Sequence, residues 1–264
     1  MPTIWAAHLN GRPATAGDLA PLAFAGYAHF TAMQVRDGRV RGLDLHLERL
    51  RAASAELFGR TLSDERVRSF LRAAVAAGPP DLSLTAHVYA PGFAAAGAEP
   101  DVLVRTGPAA TPPEGPLALA AAAHERFLPH VKQAGEAAKT YHLRRAAAEG
   151  LDDAAFVDRR GRLSEATIWN LAFWDGSAVV WPVAARLGGV TMGVVRRRLA
   201  ALGVPQLDRE VTLDDLPGLA GAVVMNSWTP AVPVHRIGAA DLPPAPSFVK
   251  LLHRAYQDEP PVSP

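Results

Sequence analysis

The sequence predicts a two-domain α+β protein, and three observations carry that expectation. A proline-dense stretch, Gly107 to Pro116 (GPAATPPEGP), interrupts the chain; short apolar runs bounded by turn residues lie on both sides of it; and runs of helical period that end on glycine lie among them. Proline at that density disfavours helix and holds an extended connector. The expected layout is an N-terminal α+β domain over residues 1–106, a linker over 107–116 and a β-rich C-terminal domain with helices over 117–264. With 264 residues and 49% hydrophobic content, the chain can bury a sizeable core.

In the N-terminal part, Phe30 to Val35 and Arg39 to Leu43 flank Asp37-Gly38, a pair that favours the tight turn of a hairpin. Leu43, Leu47, Leu50 and Leu57 then recur at helical spacing, which predicts a helix over Asp44 to Phe58 stopped by Gly59. A second helix is expected over Ser63 to Ala77, with a serine cap and acidic residues at the positive end of its dipole. Leu82 to Tyr89 and Asp101 to Arg105 read as further strands.

The C-terminal part opens on a strand, Leu117 to Ala123, followed by a strand toward Lys132 and a helix reaching Glu149. Ala154 to Val157, Leu163 to Phe173 and Ala178 to Trp181, parted by Gly-containing turns, predict a meander. A loop, Leu187 to Thr191, leads into a helix from Met192 to Leu202 that closes on Gly203. Ala222 to Met225 and Ala231 to His235 read as strands, and Phe248 to Tyr256 as a terminal helix.

Composition excludes several classes. A net charge of +1 gives no global pull toward nucleic acid or an anionic membrane, and Arg196-Arg197-Arg198 read as the solvated side of a helix whose apolar positions are Val194, Val195, Leu199 and Leu202. The absence of cysteine removes disulfides, thiolate metal sites and thiol nucleophiles, and no metal site is expected. The start MPTIWAAHLNGR has no basic segment followed by a long apolar run, and Leu117 to Ala123 is far shorter than the roughly 20 residues of a membrane helix. A cytoplasmic protein without a membrane span is the expectation.

Four features carry chemistry. Gly188-Gly189-Val190-Thr191 heads a helix, where free backbone N–H groups and the positive dipole end suit an anion. Arg49 borders the buried position Leu50, where a guanidinium can grip a phosphate in bidentate fashion; a surface pair with Glu48 or Glu56 is its alternative. Glu165 is a carboxylate inside an otherwise apolar run and so needs a partner. Lys132 stands at a strand end before a small-residue turn, where desolvation can free an amine to attack a carbonyl. A phosphate clamp, an amine for a Schiff base and a carboxylate for a pyridinium nitrogen together are the equipment for pyridoxal phosphate.

The chain also resembles a known family. Phe30-Thr31, Val35, Asp37-Gly38, Val40, Leu43 and His46-Leu47-Glu48-Arg49-Leu50, then Leu163-Ser164-Glu165-Ala166-Thr167-Ile168-Trp169-Asn170, Leu187 to Thr191, and Asn226 to Val234 are similar to motifs of the class IV (fold type IV) pyridoxal-phosphate enzymes. That family includes branched-chain and D-amino-acid aminotransferases and aminodeoxychorismate lyase. The resemblance implies an N-terminal α/β sandwich, a C-terminal pseudo-barrel, a homodimer, and cofactor held between the domains. It implies that Arg49, backbone at Val190, both backbone and hydroxyl of Thr191, and Ser227 hold phosphate. It also implies that Glu165 pairs with the pyridine nitrogen and that Asn170 belongs to the cofactor-binding signature. Lys139-Thr140-Tyr141-His142-Leu143 mimics the family's usual lysine string, but Lys132 keeps the family spacing to Gly150, Asp153 and Glu165 without a gap, and is the expected catalytic lysine.

Departures bear on substrate. Met192 replaces a usual arginine, Gly26-Tyr27-Ala28-His29 replaces a common G-D-G stretch, Gln-Ala-Gly follows Lys132, and Leu84 to Phe93 offers no arginine to hold a D-amino-acid carboxylate. The implied activity is amino transfer between an amino acid and a 2-oxo acid. The alternative is 4-amino-4-deoxychorismate lyase, releasing pyruvate and 4-aminobenzoate, toward which Phe30-Thr31 and Asn226 to Val234 lean. A pyridoxal-phosphate-binding protein without turnover is a weaker alternative.

Overall fold

A computed structural model describes residues 6–24, 26–90 and 99–264. Its contacts divide the chain into two compact units: Met1–Thr111 with Val131–Glu136 and Pro260–Pro264, and Pro112–His130 with Ala137–Glu259. The division falls within the proline-dense connector, while two short segments cluster with the first unit against their chain order.

The first unit runs β1 (Ala6–Leu9), β2 (Arg12–Pro13), α1 (Ala16–Phe24), β3 (Ala28–Val35), α2 (Leu43–Phe58), α3 (Asp64–Ala76), β4 (Leu82–Tyr89) and β5 (Asp101–Pro108). Its antiparallel sheet has the order β2-β1-β5-β4-β3. Strand alternation puts Met33, Val35, Leu84, Ala86, Val102 and Val104 on one face, where they pack with Leu43, Leu47 and Leu50 of α2 and with Val67, Phe70 and Leu71 of α3. The leucine spacing that predicts α2 is therefore its buried stripe, and Gly59 ends it at φ 65°, a left-handed conformation that a Cβ disfavours. Ser63 caps α3, its Oγ accepting from the Arg66 N–H.

The expected second hairpin strand, Arg39 to Leu43, is absent. Only an Arg36↔Arg39 bridge forms, because Val40 exchanges both backbone hydrogen bonds with Val262 (2.8 and 2.9 Å) and Gly42, at φ 68°, turns the chain straight into α2. The expected strand toward Lys132 is likewise a short strap along β3: Phe30 N–H donates to the Lys132 carbonyl (2.9 Å) and Ala134 N–H to that of Ala28 (2.8 Å).

The second unit contains β6 (Leu117–Ala123), α4 (Ala137–Ala148), β7 (Asp153–Val157), β8 (Leu163–Ala166), β9 (Asn170–Trp174), β10 (Val179–Pro182) and α5 (Val190–Ala201). It continues with β11 (Gln206–Arg209), a 3-10 helix (Leu213–Gly218), β12 (Gly221–Asn226), β13 (Thr229–Ile237), β14 (Ala240–Asp241) and α6 (Pro246–Gln257). The path β9-β12-β13-β6-β7-β8 closes on itself through the Glu165↔Asn170 pair, giving a six-stranded barrel-like sheet. Leu119, Leu163, Leu171, Phe173, Val224 and Val232 share one core cluster. Ala172, Val223 and Met225, the alternate residues of the same strands, pack instead with Met192, Val195 and Leu199 of α5 and with Phe248 and Leu252 of α6. Burial on both faces explains why these strands read as continuous apolar runs.

The expected single strand Leu163 to Phe173 is two strands, β8 and β9. The buried Asp153 carboxylate accepts the Thr167 N–H (3.1 Å) and the Trp169 indole N–H (3.0 Å), which draws residues 167–169 out of the ladder. Among the described residues no helix is long and apolar enough to cross a membrane.

Candidate active site

The second unit gathers several expected site residues around one loop. Glu165 on β8 and Asn170 on β9 are direct cross-strand partners, and together they hold Leu187 by both backbone groups. The Leu187 N–H donates to Glu165 Oε1 (3.3 Å), and Asn170 Nδ2 donates to the Leu187 carbonyl (2.8 Å). A Cβ at Gly189 would lie 1.8 Å from Asn170 Oδ1, so only glycine fits where the loop passes this amide. The loop then enters α5 through Gly189, which provides no side-chain cap, and Val190 and Thr191 occupy the first turn. The leading N–H groups of α5 thus have no side-chain cap, the arrangement that suits an anion. Ser227 lies in the β12–β13 turn, next to Asn226, whose Nδ2 reaches the Ile168 carbonyl (3.4 Å).

Glu165 is almost wholly buried, and sequence reasoning missed its partner. Arg126 Nη1 donates to Glu165 Oε1 (3.1 Å) and to the Pro129 carbonyl (3.0 Å), with side-chain exposures of 1% for Arg126 and 4% for Glu165. Burial pushes the Glu165 carboxyl above the ordinary range, while the charges of Arg126 and Lys139 act in the opposite direction. A carboxylate inside an apolar strand signals that a cation must be near, but nothing local points to one 39 residues upstream. The Arg126 guanidinium and the Leu187 N–H both donate to Oε1. A buried carboxylate fits a protonated ring nitrogen, and the uncapped α5 start fits a phosphate, so these residues suit pyridoxal phosphate.

The first unit holds the other expected residues. Beside Arg49 on α2, Glu48 bonds Arg51. Arg49 Nη1 lies 3.5 Å from Thr31 Oγ1, whose hydroxyl is in turn 2.6 Å from His46 Nδ1. If Thr31 Oγ1 accepts from Arg49, its own proton goes to His46 Nδ1, which places the imidazole proton on Nε2. Lys132 stands on the strap beside β3, and its Nζ lies over the Phe30 ring. The triple arginine is engaged in ion pairs, Arg196 with Asp208 and both Arg197 and Arg198 with Glu259. Of the stretch Leu84 to Phe93, residues 91–93 lie outside the described residues, as do residues 1–5 of the chain start.

His29 and His46 make the first unit acid-sensitive. Burial pushes each imidazole down from 6.5 to about 3, so both stay neutral in the fold. The unfolded chain binds these protons below about 6.5, hence their stabilisation is complete above that pH and is lost as pH falls toward 3. At pH 5 the loss should be about 2 kcal/mol per histidine. Urea unfolding at pH 7.5 and 5.0 measures it, and His46→Gln should show the smaller drop; equal drops would contradict the buried neutral imidazole.

The amino-transferase class IV family profile matches residues 28–237, most of the chain, and the chain belongs to that family. It is thus an enzyme of the pyridoxal-phosphate-dependent transaminase and lyase class that its motifs indicate. The fold is shared with a branched-chain aminotransferase from Thermoproteus uzoniensis solved with norvaline, at 20% identity and TM-score 0.81 over 97% of this chain and 94% of that one. It is shared with a candidate 4-amino-4-deoxychorismate lyase from Legionella pneumophila, at 18% identity and TM-score 0.80 over 90% and 93%. A hypothetical aminotransferase from Mycobacterium tuberculosis in its PLP-bound form aligns at 21% identity and TM-score 0.79 over 96% and 99%. Among curated proteins there is no match.

Proposed function

We propose that this chain is a transaminase that uses pyridoxal phosphate to move an amino group between an amino acid and a 2-oxo acid, acting in the cytoplasm as a homodimer. The observation that carries the reading is a carboxylate, Glu165, buried on β8 beside the uncapped start of α5 and fixed through Oε1 by Arg126 and the Leu187 N–H. Bound pyridoxal phosphate supplies an electron sink for the pair released at the substrate α carbon. Lys132 Nζ would hold the cofactor, and once a substrate is bound it would serve as the base that takes the α proton and the acid that gives it back. Glu165, backed by Arg126, would hold the proton at the ring nitrogen. Arg49, the backbone of Val190, the backbone and hydroxyl of Thr191, and Ser227 would bind the phosphate, and Asn170 fixes the loop that leads to Val190 and Thr191.

Lyase action on 4-amino-4-deoxychorismate is the second reading, favoured by Phe30-Thr31 and by Asn226 to Val234. Incubating the yellow holoprotein with paired amino acids and 2-oxo acids, and separately with 4-amino-4-deoxychorismate, followed by mass analysis, tests both. An exchanged amino group is expected. Pyruvate with 4-aminobenzoate would replace this reading by the lyase, and no product in either arm would leave a binding protein. Light scattering checks the dimer.

A further inference from the structure

We propose that the Phe30 ring, braced by His87, is a positioning platform for the Lys132 amine, holding it as an ammonium by a cation–π contact. The inference rests on the proposed role of Lys132. Lys132 Nζ stands 4.8 Å from the Phe30 ring centroid, within the range where an ammonium is attracted by the negative face of an aromatic ring. The backbone fixes the same pair, because the Phe30 N–H donates to the Lys132 carbonyl at 2.9 Å, so the lysine and the ring share one stretch of β3.

His87 lies opposite Phe30 in the β3–β4 register, and the two rings stack with centroids 5.1 Å apart at 16°. An imidazole is an expensive choice here if packing is its whole purpose: Nδ1 is buried with no hydrogen-bond partner among the described residues, and an apolar side chain would fill the place without that cost. What the imidazole adds is a flat, polarisable surface that fixes the Phe30 ring in the plane facing Lys132. Burial, together with the charge of Arg105, pushes His87 down to about 4, so it remains neutral and does not compete as a second cation for the ring. In the reaction the platform would hold Nζ in place from the moment it has taken the α proton until it gives that proton back.

Cofactor-free protein allows the test to be made apart from turnover. Trace acylation at a fixed pH, read by peptide mass analysis, measures the fraction of Lys132 that is unprotonated and reactive. Replacing Phe30 by 3,5-difluorophenylalanine keeps the shape of the ring while drawing electrons from its face, and should make Lys132 acylate about threefold faster, the rate expected for loss of a contact of this strength. Phe30→Leu should do at least the same, Phe30→Tyr should match the wild type, and His87→Ala should act in the same direction and be rescued by His87→Phe. Equal rates in the fluorinated and wild-type proteins would overturn the platform. Borohydride reduction of the loaded wild type separates the parent reading: an adduct on Lys139 would remove the platform's part in the reaction, whatever the acylation rates.

Discussion

Glu165→Gln should retain pyridoxal phosphate and lose turnover by roughly a hundredfold or more, since a neutral amide cannot hold the proton on the ring nitrogen that makes the ring accept electrons. The amide would still accept from Arg126 and the Leu187 N–H through its carbonyl oxygen, so the loop and the barrel seam at Glu165↔Asn170 should survive. Steady-state rates with a donor that the wild type uses, alongside the absorbance of bound cofactor, separate the two effects. Wild-type turnover would show that Glu165 is structural. Cofactor loss without a fold change elsewhere would mean that its charge serves binding and not the reaction.

Arg49→Ala should weaken the cofactor's hold by roughly 2–4 kcal/mol, about 30- to 1000-fold in dissociation constant, because it removes a charge-assisted phosphate contact. The side chain is half-buried and its terminal nitrogen is steered by Thr31, which His46 fixes in turn. Thr191→Ala should cost less, about 1 kcal/mol or fivefold, since the backbone donors of the first turn of α5 remain. Titrating the cofactor-free variants with pyridoxal phosphate orders the three proteins. An Arg49→Ala protein that binds as tightly as the wild type would refute the clamp.

Local signals made much of this legible from sequence. The Leu43, Leu47, Leu50 spacing marked the buried face of α2, and the Gly188 to Thr191 run marked the start of α5. The hairpin of β1 and β2 also had its signal in Asn10-Gly11, both at positive φ (48° and 84°), but its strands are too short to show alternation. What stayed hidden depends on distant partners. Arg126 reaches Glu165 from a segment without regular structure, Asp153 splits an apolar run into β8 and β9, and the Lys132 strap adds itself to β3 from about 100 residues away in sequence. No periodicity encodes such contacts, because a buried charge specifies that a partner exists without specifying where in the chain it lies.

The central claim is that Lys132 is the amine that bonds the cofactor. Lys139, in the first turn of α4, is its competitor, and its charge is felt at Glu165. Borohydride reduction of the yellow holoprotein followed by peptide mapping decides between them. A pyridoxyl group on Lys132 is the expected result; the same group on Lys139 would reverse the assignment, and no adduct on either would contradict covalent cofactor chemistry in this chain.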